Sequence, residues 1–240
     1  MAVTINGDGT ISGVSVGGLP DGVVDSGTLA TGIDATKLAD GTVTSTELQY
    51  INTLSSNAQT QISAAGGAWN YIATATASNS ASLEFTSGID STYSVYVFML
   101  KNVIPATAAA DLWMKWSTDG GSTYFSSGID TSTYGYDAGG TGRSTNGTNA
   151  STFTIADNQE NTATGGVSGP LWIYDPSNAS GYCTTSWHVA FNTNISSEYM
   201  AFTGGGGGYT ASQDVDAVQF LESSGNIASG EIRMYGIADS

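Results

Sequence analysis

The segment Tyr93–Lys101, "YSVYVFMLK", is apolar without a break from Val95 to Leu100 and rich in β-branched and aromatic residues. Such side chains fit a pleated strand, and the missing alternation suits a strand covered on both faces, by the core and by a neighbouring subunit. Similar short runs lie on either side. "WNYIATATA" (69–77) and "ASLEFT" (81–86) precede it. "ADLWMKWS" (110–117), "STFTIA" (151–156), "GPLWIYD" (169–175), "YCTTSWHVAFN" (182–192), "EYMAFT" (198–203), "DVDAVQFLE" (214–222) and "GEIRMYGI" (230–237) follow. In the last, Ile232 and Met234 alternate with polar neighbours, as a half-buried strand requires. Clusters of Gly, Asn, Asp and Ser separate most of the runs. About ten short strands without a helical period predict an all-β, two-sheet, jelly-roll-like sandwich over residues 67–240. Trp113, Trp116, Trp172 and Trp187 fall inside these runs and are expected in the core or at a subunit interface.

Composition agrees with a turn-rich β protein. The 240 residues include 32 glycines and 10% aromatics, and only 11% are charged. The formal charge is −16, and the cations are Lys37, Lys101, Lys115, Arg143 and Arg233, scattered along the chain. Nucleic acid and anionic membranes are excluded as partners, because phosphate binding needs clustered bases. The surplus of carboxylates permits a divalent cation such as calcium; no other cofactor is indicated. The single cysteine, Cys183, precludes an intrachain disulfide and reads as a small buried strand residue. No apolar run is long enough to span a bilayer, and "MAVTINGDGT" lacks the basic start and apolar core of a signal peptide. Synthesis in a cytoplasm is expected, with any external location reached on a particle.

The first 66 residues have a different texture. In residues 1–20, Val3 and Ile5, then Ile11 and Val14, bracket "NGDG" and predict a small hairpin and an extended segment. A hairpin alone is marginal in water, so this one is expected to dock on a partner. Residues 21–47 repeat a short phrase: "DGVVDSGTLA", "TGIDATKLA", "DGTVTSTELQ", with Val24, Ile33 or Val43 followed five residues later by Leu29, Leu38 or Leu48. Two apolar contacts per unit cannot close a core within one chain at about 25 cal/mol per Å² buried. Such units bury their faces against parallel copies; the competing reading is a flexible linker. Residues 48–66 change period. Thr46 and Gln49 are placed as a capping box, and Leu48, Ile51, Leu54, Ala58 and Ile62 form one apolar stripe, the seam of a short trimeric helix ended by Gly66 and Gly67.

"INGDGTISGVSVGGLPDGVVDSGTLATG", "ADGTVTSTEL" and "LSSNAQTQIS" together resemble the amino-terminal stalk of fibre proteins from tailed bacteriophages. "ASNSASLEFTSGIDSTYSVYVFMLKNVIPATAAADLWMKWSTDGGSTY" and "SSGNIASGEIRMYGI" are similar to a terminal domain carried on such stalks. The resemblance implies a homotrimeric virion appendage. Its residues 1–20 would dock on another virion protein, and its carboxy end would face outward. It leaves tail and capsid attachment both open and brings no catalytic motif.

Among residues that could carry chemistry, glycan cleavage would need two placed carboxylates. Asp214 and Asp216, Asp157 and Glu160, and Glu84 are the candidates. The first two lie two apart on an expected strand and face solvent, Glu160 falls in a polar loop, and no depolymerase-type strand ladder is present, so an enzyme is not expected. His188 is the only histidine, which disfavours a zinc site or a nucleophilic triad. "GGGGG" (204–208) reads as a flexible turn or a close approach of backbone near an axis. Sugar binding is the better-supported activity. "DTSTYGYDAGGTGRSTNGTN" (130–149) reads as a long loop gathering Tyr134, Tyr136, Asp137, Arg143 and Asn146. The readings carried forward are a fibre that attaches to a host cell-surface glycan and a capsid head fibre or decoration protein with a structural role.

Overall fold

The computed structural model describes residues 4–8, 11–12, 44, 46–47, 50, 68–194 and 200–238. The chain divides into two compact units, Met1–Ala65 and Gly66–Ser240. In the first, β1 (Thr4–Ile5) and β2 (Ile11–Ser12) pair antiparallel, Ile5 opposite Ile11, around a turn at Gly7 and Asp8. A capping box is also present, but two residues earlier than expected. Thr44 N–H and hydroxyl donate to Glu47 Oε2 at 2.8 Å each, and Glu47 N–H donates back to Thr44 Oγ1 at 3.2 Å. An ionised Glu accepts more strongly than the amide of Gln49 would, which favours this frame. Thr46, Glu47 and Tyr50 carry helical backbone. The repeat at 21–43 and the stripe of Leu48, Ile51, Leu54, Ala58 and Ile62 lie outside the described residues.

The second unit is two antiparallel sheets facing each other across one core. Its strands are β3 (Trp69–Ser80), β4 (Ser82–Phe85), β5 (Val95–Pro105), β6 (Ala110–Ser117), β7 (Ile129–Asp137), β8 (Gly142–Ala150), β9 (Phe153–Gln159), β10 (Val167–Tyr174), β11 (Thr184–Asn192), β12 (Met200–Tyr209), β13 (Ala217–Glu222) and β14 (Ile227–Ile237). Eight form one sheet in the order β3-β14-β5-β10-β11-β12-β7-β8, and four form the other, β4-β13-β6-β9. Among the described residues the unit has twelve strands in two antiparallel sheets, consistent with the expected β-sandwich.

Aromatic side chains join the sheets. Phe98 of β5 meets Phe85 of β4 edge-on at 5.2 Å and Phe220 of β13 at 5.6 Å. Phe153 of β9 lies 4.6 Å from Trp116 and 6.3 Å from Trp187 of β11, and both indoles are wholly buried. Polar links add register. The buried Thr133 and Thr203 hydroxyls donate across the gap to Thr154 O and Ile155 O of β9, both at 2.9 Å. Burial pushes the Cys183 thiol well up, with the Asp175 charge adding to it, so this cysteine is a core residue. Within β5, Tyr96, Phe98 and Leu100 enter the core, whereas Val97 on the opposite face is covered by its own sheet neighbours.

Two segments read as irregular are strands. Residues 129–150 form the β7–β8 hairpin at a sheet edge rather than a long loop, and Gly204–Gly208 run through β12, paired on both sides. Asp214 and Asp216 precede β13 instead of lying on it.

Candidate functional site

The outer face of the larger sheet, away from the core, carries a lane of bare backbone. On β12 the outward positions after Phe202 are Gly204, which is buried beside His188, and the half-buried Gly206 and Gly208. On one side stand Tyr134, Ser132 and Asp130 of β7; on the other stand His188, Ser186 and Thr184 of β11, all in direct cross-strand register. Flanking strands two spacings apart put the walls about 10 Å from each other, and five residues of lane run about 14 Å. A cavity of about 530 Å³ opens here, lined by Asp130, Ser132, Asn146, Thr148, Gly206 and neighbours. A second, of about 290 Å³, shares Asp130 and continues to Thr184, Tyr182 and Gly208.

The glycines serve two different purposes. Gly205 points inward, where any Cβ would enter the Trp187 indole ring. Gly206 points outward, where a Cβ would sit 3.0 Å from Thr185 O and otherwise project into the lane.

Hydrogen bonding fixes the polar wall. Ser132 Oγ donates to Asn146 Oδ1 at 2.6 Å across the hairpin, which orients the Asn146 amide nitrogen away from that bond. Asn149 N–H donates to Asp130 Oδ1 at 3.0 Å, holding the carboxylate where both cavities meet. The far end is aromatic. Tyr134 and Tyr136 are 59% and 67% exposed, and His188 stacks on Phe202 at 5.9 Å and 11°. Backbone, hydroxyls, one amide and one carboxylate line the cavities, and Tyr134, Tyr136 and His188 stand further along the same face; ring faces suit the C–H surface of a sugar and planar polar groups its hydroxyls.

Of the five residues expected to bind sugar, Tyr134, Tyr136 and Asn146 lie on this face. Asp137 and Arg143 face inward and are 6% and 7% exposed. Asp137 Oδ1 accepts from Thr141 N–H at 2.9 Å and so shapes the hairpin turn. Arg143 reaches under the sheet to Asp157 of β9, with Nε at 3.1 Å from Oδ1 and a terminal nitrogen at 3.1 Å from the backbone oxygen, its guanidinium 5.9 Å from the Phe191 ring centre. Sequence reasoning missed Asp130, Ser132, Thr148, Thr184 and the outward glycines. The signal was the even-numbered spacing Asp130, Ser132, Tyr134, Tyr136, which places all four on one strand face.

The carboxylates weighed for cleavage are dispersed. Asp157 is paired with Arg143, Glu84 accepts from Gln219 at 2.6 Å, and Asp216 accepts from Gly120 N–H at 3.0 Å. Among the described residues no group of three or more His, Cys, Asp or Glu is placed to hold a metal ion, and no helix is long and apolar enough to cross a membrane. No protein-family model, curated protein or solved structure matches the chain.

Proposed function

We propose that the chain is a homotrimeric fibre protein of a tailed-phage virion, anchored through residues 1–20, and that the glycine lane of its C-terminal unit binds a host cell-surface glycan. The lane carries the binding part of this reading: a backbone-floored groove walled by Asp130, Ser132 and Asn146, with Tyr134 and Tyr136 further along the same strand face. No described cation borders it. Arg143 is turned inward, Lys115 belongs to the smaller sheet, and Lys101 and Arg233 sit on β5 and β14, so the groove favours uncharged ligand groups. Three copies on one axis would raise avidity by about 10² to 10⁴, making weak single sites sufficient.

The test presents full-length protein to host cells with and without chelator. Retention is expected in low and in physiological salt, and replacing Tyr134 and Tyr136 together by Ala is expected to lower it at least tenfold. Equal retention of that variant would remove the lane from the account. A second reading, a head fibre or decoration protein, is favoured by the uncharged aromatic surface at β3 and predicts no retention on cells under any of these conditions.

A further inference from the structure

The glycine lane holds two adjoining cavities, and Asp130 is common to both. The one beside Ser132, Asn146 and Gly206 is about 530 Å³, and the one beside Thr184, Tyr182 and Gly208 is about 290 Å³. Ser132 lies opposite Gly206 and Asp130 opposite Gly208, two residues further along each strand, so the two rows are about 7 Å apart. That is the scale of neighbouring rings in one chain of sugars, not of two separate ligands. The second cavity also brings rings of its own. Tyr182 is 65% exposed there, and Tyr209 stacks on Phe125 at 4.1 Å and 22°.

Asp130 is fixed between the cavities by a network of backbone bonds. Asn149 N–H donates to Asp130 Oδ1 at 3.0 Å, and Asn149 Oδ1 accepts from Gly128 N–H at 2.9 Å. Gly128 O in turn accepts from Thr210 N–H at 2.9 Å and from the Thr210 hydroxyl at 3.1 Å. Asn149 (φ 56°) and Gly128 (φ 88°) both have left-handed backbone, and a Cβ at Gly128 would enter the Tyr209 ring. Left-handed backbone at a residue other than glycine persists only where its surroundings hold it, and it gathers at ligand sites. The network ties the Asp130 carboxylate to Tyr209 and Thr210, two lining residues of the second cavity. Among the described residues nothing donates to Asp130 Oδ2.

We infer that the lane takes two consecutive sugars of an uncharged glycan chain, one in each cavity, and that Asp130 selects them by accepting a hydroxyl from each. The inference rests on the glycan reading above and names the ligand class that reading leaves open. An ionised carboxylate has about four acceptor sites and no donor, so Asp130 has room for both hydroxyls beside the Asn149 N–H. Hydrogen bonds to a charged acceptor are the stronger kind. The same charge repels a carboxylate or phosphate on the ligand, and no described cation lines either cavity to offset it. The Tyr182 ring gives the second sugar a face to lie on, and Ser132 and Asn146 give the first its polar wall. A single sugar fills one cavity and forgoes the contacts of the other.

The experiment uses the full-length chain on host cells. Surface polysaccharide of the host is cleaved with mild acid, and the fragments are separated by charge and size into neutral single sugars, neutral chains of two to four units and acidic chains of the same lengths. Each fraction competes with cell retention of the parent, of Asp130→Asn and of Tyr182→Ala. Asp130→Asn keeps an oxygen for Asn149 N–H and puts a donor in place of the second acceptor. Neutral chains are expected to inhibit the parent at concentrations about tenfold below those of neutral single sugars, the gain of one further hydrogen bond to a charged group. Acidic chains should inhibit less than neutral ones. Both variants should lose the gain with chain length while their urea midpoints stay at the parent's. Single sugars as potent as chains, or a length advantage kept by either folded variant, overturns the inference and leaves the glycan reading standing. Acidic chains as the strongest inhibitors overturn it as well. A parent that is not retained, or whose retention no fraction reduces, sinks the glycan reading itself. Tyr182→Ala, at an exposed position outside the strands, decides the matter if Asp130→Asn misfolds.

Discussion

Glu222, at the end of β13, is 5% exposed and accepts one hydrogen bond, from Gln159 Nε2 at 2.8 Å. Its other oxygen, Oε1, is buried without a partner, and so is Gln159 Oε1. Burial, opposed by the Gln159 bond and reinforced by the Asp111 charge, pushes this acid up to about 7 from an ordinary 4.5. A proton on Glu222 supplies the donor that the second pair of oxygens lacks, so the neutral acid and the amide can close a two-bond ring. The sign follows from proton counting. Between pH 4.5 and 7 the folded chain holds a proton that the unfolded chain has released, so stability falls as pH rises through this window and is flat above it. A shift of this size corresponds to roughly 3 kcal/mol lost by pH 8 relative to pH 4.5.

Urea unfolding at pH 5 and pH 8, followed by fluorescence of the buried Trp116 and Trp187, measures the effect. Glu222→Gln keeps a donor opposite Gln159 and cannot ionise. It should flatten the curve and exceed the parent by about 3 kcal/mol at pH 8 while nearly matching it at pH 5. Other perturbed groups do not blur the window. Asp119, held down at about 2 mainly by Thr123 and by Ser117, titrates far below it, and Asp111, raised chiefly by burial, is present in both proteins. Parallel curves for parent and variant would refute the reasoning.

Gly205→Ala should destabilise by about 1–3 kcal/mol by pressing on Trp187, whereas Gly206→Val should leave urea stability within about 1 kcal/mol and abolish glycan retention; unfolding and cell-binding assays read the two. Arg143→Met strands Asp157, whose side chain is a quarter exposed, and should cost roughly 3 kcal/mol, with faster amide exchange in β7 and β8 than elsewhere in the sheet. Leu48→Asp with Ile51→Asp should lower the mass in solution to one chain while the near-ultraviolet signal of the C-terminal unit is unchanged.

The ten strands read from sequence share a property that β7 and β8 lack: apolar side chains at the positions that face the core. Along β7 the inward residues are Ile129, Thr131, Thr133, Gly135 and Asp137, and only the first is apolar. Thr133 is accommodated because its hydroxyl reaches a β9 carbonyl, a long-range bond that local pattern cannot disclose. Arg143, the buried inward residue of β8, is matched by Asp157 fourteen positions away. The same blindness split the candidate site. A loop leaves the direction of each side chain open, whereas a strand alternates them, so Asp137 and Arg143 went to the core side and Tyr134, Tyr136 and Asn146 to the lane.

The five glycines of β12 bear on whether the lane is incidental. Glycine in a strand forfeits about 0.5–1 kcal/mol relative to alanine through the freedom lost on folding. Packing accounts for Gly205 and Gly207, whose inward sides meet Trp187 and Phe153, and for Gly208, where a Cβ would come within 2.8 Å of Cys183 O. Gly204 and Gly206 are less constrained: the nearest obstacle to the first is the His188 ring, a side chain, at 2.9 Å, and to the second the Thr185 backbone oxygen at 3.0 Å. Together they forfeit about 1–2 kcal/mol that the core does not demand. What alanine at both positions would remove is the depth of the groove between β7 and β11. Gly204→Ala with Gly206→Ala should therefore raise urea stability by up to about 1 kcal/mol and weaken glycan retention, the opposed signs expected of a binding surface kept open at the expense of stability. A double variant that gained stability and kept full retention would make the lane a by-product of the sheet.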